Sequence, residues 1–497
     1  MNRRDVLTAS ALMPASLTTP AAGLIGGQRT NRNIEPDLSW RISEGFFFQK
    51  SIRSGGNGVP LERFPFETVQ RLLCSGIPEA YDQITELFRR YVAYPVDPAA
   101  GLVALPDYAY ESVRNMPSPP AEDSKELREN VSELYWCELL RDTDFSVFET
   151  NEIAVRAAED LANPRTTKVT DGAQAPALFS SRFGGQSGFF LSALLLAPIP
   201  LWPLRRHQQY PSFLEGENFG TTEEEWKRIQ SAEIFPAKLN QLRAKADYVR
   251  NGRRLASLVY LDYPTQIFDA AVLQISQFRT SVFRRRGHWG MHERNTPFIF
   301  GGPADLLSHI AACCKISLGA TWLAKWGRFY YPRPEEVCAW AQSPKTSASL
   351  TKLRERLQVG PWGFGLGPRL LSSCYPDGAP VHPSYPAGHS AIAGAAATII
   401  KAFLRPDAEV PSGFVDWRSM GINLHDRPLQ LTDEIDKLSW NISIGRCFAG
   451  VHYRFDCEAG LALGEDLALG YLRNIKKTYP IDIVFTIKKF NGEFVSI

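Results

Sequence analysis

Residues 382 to 403 read His382-Pro383-Ser384-Tyr385-Pro386-Ala387-Gly388-His389-Ser390-Ala391-Ile392-Ala393-Gly394-Ala395-Ala396-Ala397-Thr398-Ile399-Ile400-Lys401-Ala402-Phe403. Two prolines precede a proline-free run in which Ile392, Ala396, Ile399 and Phe403 recur at helical spacing, which predicts a helix beginning near Gly388. Most of the other positions are Ala or Gly, so a neighbouring helix can approach closely. A helix start leaves N–H groups without intrahelical acceptors and carries a partial positive charge, a combination that favours an anion. Gly388 lets the backbone come near such a ligand. His389 would stand beside it as an acid or base; taken alone, it is equally a capping or structural histidine.

Two flanking segments extend this reading. Upstream lies Lys325-Trp326-Gly327-Arg328-Phe329-Tyr330-Tyr331-Pro332-Arg333-Pro334. Lys325 ends an amphipathic helix, and Pro332 and Pro334 forbid its continuation. Arg333, preceding a proline, is biased to extended backbone, so the two cations can converge. Arginine offers an oxyanion a planar fork and lysine a point charge. Alone, the pair reads as surface charge.

Downstream lies Arg446-Cys447-Phe448-Ala449-Gly450-Val451-His452-Tyr453-Arg454-Phe455-Asp456. His452 and Asp456 are four apart and are expected on one helix face. Asp456 would then take one ring proton and leave the other nitrogen free as ligand or nucleophile. Arg446 lies six residues before His452, about 600° on a helix or roughly 240° net, so the two diverge unless the chain bends. Gly450 or Gly445 could supply the bend; a helix continuous through Gly450 would dismantle the pocket.

The rest of the chain bounds the answer. Its 497 residues exceed one ordinary domain. A charged fraction of 22% and an apolar fraction of 44% are those of a globular chain. A formal net charge of +2 gives no argument for a nucleic-acid partner, and Arg205-Arg206 and Arg284-Arg285-Arg286 read as solvated surface. No uninterrupted apolar run reaches the roughly 18 residues of a membrane span. The nearest, Gly188 to Trp202, is broken by Pro198 and Pro200 and reads as a buried helix followed by an extended segment.

The pattern is all-α. Helical spacing covers residues 124–143, 148–162, 235–250 and 303–326, and Thr221-Thr222-Glu223-Glu224-Glu225 marks a capped start. Leu105 to Glu122 reads as a loop, as do Gly363, Gly365 and Gly367, which follow no strand and form no nucleotide fingerprint. A hairpin is expected from Ile483–Ile487 and Glu493–Ile497 around Asn491-Gly492. The eight cysteines have no C-x-x-C or zinc spacing and read as buried thiols. Arg3-Arg4 and the stretch to Gly23 are similar to a twin-arginine export signal, imperfect at Val6 and Pro14. This implies either an exported protein or a disordered N-terminus on a cytoplasmic one. The expected division is residues 1–25 as signal or disordered segment, 26–290 as an N-terminal helical part, and 291–497 as the part bearing the pocket.

Jointly, the three segments resemble the vanadium-dependent haloperoxidases and the related acid phosphatases of the phosphatidic-acid-phosphatase type 2 superfamily. The seven residues between Lys325 and Arg333 and the His382-Pro383-Ser384-Tyr385 start are more similar to the algal and cyanobacterial bromoperoxidases than to the fungal chloroperoxidases. The resemblance implies an all-α fold of two four-helix bundles with minor β-hairpins, commonly a homo-oligomer, and vanadate as cofactor. It implies that hydrogen peroxide oxidises bromide or iodide to hypohalous-acid-type species that halogenate a small organic acceptor.

By the same resemblance His452 would be the axial vanadium ligand, and Lys325, Arg333, Arg446 and the N–H of Gly388 would hold vanadate oxygens. His389 would be the acid/base, Lys325 would make the activated peroxide more electrophilic, His382 would tune halide oxidation, and Asp456 would orient His452. Trp322, one turn before Lys325, is a candidate wall residue. One departure stands out: the family's helix start usually reads Ser-Gly-His, and here it is Ala387-Gly388-His389. A hydroxyl bond to a charged group, about 1.5–3 kcal/mol, is therefore missing and weaker anion binding is expected.

Two other functions fit the same residues. In an acid phosphatase, His452 would be the nucleophile and His389 would protonate the leaving alcohol. A non-catalytic oxyanion-binding protein would suit the missing serine and leave His389 dispensable.

Overall fold

The computed structural model describes residues 34–42, 46–51, 66–75, 77, 79–91, 95–161, 178–181, 189–201, 203–232, 242–278, 282–283, 299, 301–343, 348–417, 428–479 and 482–497. The fold is all-α, with three small antiparallel strand pairs among the described residues. At its centre is the Gly388–Phe403 helix, where every residue but His389 is buried. The helices Pro303–Leu323, Leu431–Phe448 and Arg454–Ile475 surround it.

Small residues make this packing feasible. A Cβ on Gly464 would lie 2.1 Å from the carbonyl oxygen of Ala391, and one on Gly394 would lie 2.3 Å from that of Leu461. The two helix backbones are thus in contact, and any larger side chain at either glycine would separate them. One apolar core runs from Ile34 to Phe490. A satellite cluster gathers Phe48, Leu73 and Phe88 around Trp326 and Tyr330, beside Lys325.

Several expected elements form for the expected reasons. Lys125–Leu140 is helical, with Ser124 Oγ accepting from Leu127 N. Glu152–Leu161 is helical, with Asn151 Oδ1 accepting from Ala154 N. Thr222 caps Glu223–Gln230, and Glu225 reaches back to the N–H of Thr221. Ala193–Leu196 is a buried helical turn, followed by the strand Ile199–Leu201. This strand pairs with Leu204–Arg206, which leaves Arg205 and Arg206 exposed. The C-terminal hairpin pairs Thr486–Lys488 with Phe494–Ser496, and Gly492 takes φ +85° in its turn. All eight cysteines are free thiols, and all but Cys74 are buried. Arg3-Arg4 and Arg284-Arg285-Arg286 lie outside the described residues.

Other expectations are corrected. The Leu105–Glu122 loop contains the helix Asp107–Arg114, which buries Ala109, Tyr110 and Val113; its Pro and Ser content is concentrated after Asn115. The helix expected over 235–250 gives way, in its described part, to the strand Ala244–Asp247 paired with Tyr210–Ser212. None of the four strand residues is buried, so the helical spacing has no core to face. The Gly363–Gly367 loop is a single helical turn, Trp362–Leu366, ended by Gly367 at φ +64°. One stretch, Pro303–Gln342, is long and apolar enough to cross a membrane by length and composition, which a search for uninterrupted apolar runs overlooks. In this fold it packs on the central helix and carries Lys325.

Candidate active site

The Pro303–Leu323 helix loosens into a π-helical turn, Ala324–Phe329, that aims Lys325 into the interior. There its ammonium donates to the carbonyls of Pro383 and Ser384, at 2.7 and 2.6 Å. Arg333 N-caps the Pro334–Gln342 helix with extended backbone, as the following proline requires. Its guanidinium donates to the carbonyls of His382 and Val451 and to His452 Nε2 at 3.0 Å, and its Nη2 lies 2.9 Å from His382 Nδ1. Both cations are fully buried.

The bend needed downstream is present. The Leu431–Phe448 helix stops at Phe448, and Gly450 takes φ +81°, a left-handed conformation that favours glycine. The chain then turns through His452 into the Arg454–Ile475 helix. Arg446 and His452 can therefore serve one pocket, although six residues along a helix would separate them. The other candidate hinge, Gly445, lies inside the helix.

The His452–Asp456 pair forms by a different route from the one expected. His452 precedes the helix, and Asp456 sits in its first turn, accepting from the N–H of Tyr453. The same oxygen, Oδ2, takes His452 Nδ1 at 2.8 Å and the hydroxyl of Ser384. With its Nδ1 proton on Asp456, His452 presents the Nε2 lone pair to Arg333. Burial, then the charges of Arg333, Lys325 and Arg446, hold the His452 imidazole well below its usual pKa, so it is neutral. Burial and Arg333 do the same to His382.

Arg446 donates to the Val259 carbonyl and the Tyr375 hydroxyl, while its buried Nε has no partner among the described residues. Burial lowers the Lys325 pKa, and Arg333 and Arg446 lower it further. Burial, opposed by Asp456 but aided by Arg446, brings Arg333 down to about 10. Three buried cations, one with an N–H that has no partner among the described residues, are the kind of donor set that suits an oxyanion.

The start of the Gly388–Phe403 helix completes the wall. Its N-cap, Ala387, makes no side-chain cap bond. Trp322 packs against His382 with ring centroids 4.9 Å apart and planes tilted by 40°, and a Cβ on Gly388 would lie 3.3 Å from the Trp322 ring. His389 points to a different neighbour, with Nε2 3.0 Å from Asp262 Oδ1. Its side chain is 28% exposed, in contrast to the buried Lys325, Arg333 and His452.

Sequence reasoning missed Asp262, which sits between two helices with no spacing relation to residue 389. It also missed a role for Ser384, although that serine lies inside the quoted motif. Among the described residues no group of three or more His, Cys, Asp and Glu side chains could hold a metal cation.

The family profile described as the VCPO second helical-bundle domain matches residues 369–479. The vanadium-dependent bromoperoxidase of Ascophyllum nodosum is 28% identical over 421 residues, 78% of this chain and 74% of that protein. Together these matches support a vanadium-dependent haloperoxidase. A vanadium-dependent bromoperoxidase of Corallina pilulifera is 38% identical over 131 residues, 26% of this chain and 22% of that protein. The homohexameric structure of the second vanadate-dependent bromoperoxidase of Ascophyllum nodosum superposes with a TM-score of 0.70 at 21% identity. That match covers 91% of this chain and 84% of the other, and it supports the all-α helical-bundle fold.

Proposed function

We propose that this protein is a vanadate-dependent haloperoxidase that uses hydrogen peroxide to oxidise bromide or iodide, giving a hypohalous-acid-type oxidant that halogenates small organic molecules. The observation that carries the reading is the neutral His452, with Asp456 on Nδ1 and Nε2 turned toward Arg333 inside a ring of buried cations. The bromoperoxidase relatives support bromide as a halide.

When bound, vanadate supplies a Lewis acid that activates hydrogen peroxide toward halide. His452 would ligate vanadium through Nε2. Lys325, Arg333, Arg446 and the Gly388 N–H would hold the oxygens and stabilise negative charge on them. His389, oriented by Asp262, would take and return protons at the exposed side of the pocket. His382, neutral and packed against Trp322, would form the wall that the halide meets. These residues lie in the pocket-bearing part, residues 291–497, and Asp262 reaches in from the preceding part. The homohexameric relative supports a homo-oligomer.

The phosphatase and the non-catalytic readings are not favoured, because the curated relatives are bromoperoxidases. The test is bromination of a dione or phenol-red indicator by phosphate-stripped protein, with peroxide and bromide, before and after vanadate is added. Vanadate-dependent bromination that disappears in His452→Ala establishes the function. Bound vanadate with neither bromination nor iodination refutes it, and p-nitrophenyl phosphate hydrolysis would then identify a phosphatase.

A further inference from the structure

We propose that Tyr263, an exposed phenol at the rim of the pocket, is a site of self-halogenation, brominated on its ring by the oxidant leaving the site. This rests on the haloperoxidase reading. The pocket is closed on most sides: Lys325 and Arg333 are 0% exposed and His452 is 1% exposed. The more exposed candidate is His389, 28% exposed, and we take the opening to lie on its side; its partner Asp262 belongs to the connection between the helices Gly252–Leu258 and Gln266–Ile275.

Tyr263 follows Asp262 directly. Its backbone is pinned at the start of the second of these helices, where its N–H donates to Gln266 Oε1 and its carbonyl accepts from Gln266 N. Its side chain nevertheless projects into solvent, 75% exposed. A fixed backbone beside the opening and a free ring are what a diffusing electrophile would meet first.

The neighbouring phenols are poorer targets. Tyr260 and Tyr375 pack against each other with centroids 4.4 Å apart. Burial holds both hydroxyls above the ordinary tyrosine pKa, which keeps them out of the phenolate form that electrophilic bromine prefers. The easily oxidised sulfur atoms of Cys374, Cys447, Cys457 and Met116 are buried.

The chemistry balances without a further reagent. Bromide, peroxide and a proton give hypobromous acid and water. A ring carbon ortho to the hydroxyl then forms the C–Br bond as the O–Br bond breaks, and the displaced ring proton joins the departing hydroxide as water.

The experiment uses the full chain loaded with vanadate, turning over bromide and peroxide with a dione indicator, followed by peptide mass spectrometry. Tyr81, 56% exposed on the Ala80–Tyr91 helix, is the internal standard. During turnover Tyr263 should carry several-fold more bromine than Tyr81, whereas hypobromous acid added to vanadate-free protein should label the two comparably. Tyr263→Phe should remove the label and leave indicator bromination unchanged. Indicator bromination with no excess label on Tyr263 overturns the inference and leaves the proposed function standing. No indicator bromination at all overturns both.

Discussion

His452 Nδ1 lies 2.8 Å from Asp456 Oδ2 across the start of a helix, where the carboxylate also accepts the N–H of Tyr453. One carboxylate therefore fixes the histidine tautomer and caps the helix that follows it. Replacing Asp456 by Asn keeps the shape but removes the charge that holds the Nδ1 proton. Partners of this kind typically contribute about 10–100-fold to the affinity of the ligated centre. We expect Asp456→Asn to weaken vanadate binding by a factor in that range, measured by titrating phosphate-stripped protein. Unchanged affinity would show that Ser384 and Tyr453 suffice to orient the ring.

Gly450 is the hinge that places His452 and Arg446 in one pocket. At φ +81° a side chain costs about 1–2 kcal/mol, and an alanine Cβ would also sit 2.8 Å from the carbonyl oxygen of Ser372. Gly450→Ala is therefore expected to lower the melting temperature and weaken vanadate binding together. A variant with normal affinity would mean that the turn survives without its left-handed residue.

His389, whose side chain is 28% exposed, pairs at 3.0 Å with the nearly buried carboxylate of Asp262. General acid–base groups contribute roughly 10²–10⁴-fold to rate. His389→Ala should reduce bromination within that range while vanadate still binds, and Asp262→Ala should reduce kcat by less. Wild-type kcat in His389→Ala would remove the acid/base role and leave the histidine as a capping residue.

Away from the pocket, Lys401 and Asp436 meet at 2.6 Å with both side chains 0% exposed. Removing one partner strands the other charge at a cost of about 3–5 kcal/mol. Lys401→Met should therefore be strongly destabilising, and Lys401→Met with Asp436→Leu should recover most of the loss. Burial, countered in part by Lys401, pushes the Asp436 carboxyl up from 3.8 to about 6. Between those values the folded protein holds the proton more tightly than the unfolded chain, so this group's contribution to stability falls as pH rises through the window. The wild type should gain on the double variant as pH drops from about 6 to 4, as read from paired thermal unfolding curves. A pH-independent difference between the two would show that the Asp436 pKa is not raised.

The legible parts of this fold were those where local chemistry and tertiary packing make the same demand. The Ala/Gly run after Gly388 had to be a closely packed helix, and Pro334 had to leave Arg333 extended at a helix start. The need for a bend between Arg446 and His452 followed from helical geometry, but the choice of Gly450 over Gly445 came from the fold. His452 and Asp456 were paired correctly but on the wrong scaffold, because spacing of four also suits a residue preceding a helix and one in its first turn. Residues 244–247 lacked a core to face, and a strand partner more than thirty residues upstream overrode the local periodicity. Asp262 was invisible for a related reason, since only the folded chain brings it to His389.

Ala387 is the position where the sequence departs from its family, and the structure gives the departure two physical consequences. As the N-cap of the Gly388–Phe403 helix it offers no acceptor to the first N–H groups, and it is fully buried. A serine there could turn inward to cap the helix, worth about 0.5–2 kcal/mol of stability. Alternatively it could turn to the anion, worth about 1.5–3 kcal/mol of binding. The two outcomes separate experimentally, because capping raises the melting temperature of vanadate-free protein and anion contact does not. With Lys325, Arg333 and Arg446 already crowding one point, an added hydroxyl gains most by donating to an oxyanion they hold. We therefore expect Ala387→Ser to tighten vanadate binding roughly ten- to hundred-fold with little change in the melting temperature of the vanadate-free protein. Tighter folding without tighter binding would place the missing hydroxyl in the helix cap and not in the pocket.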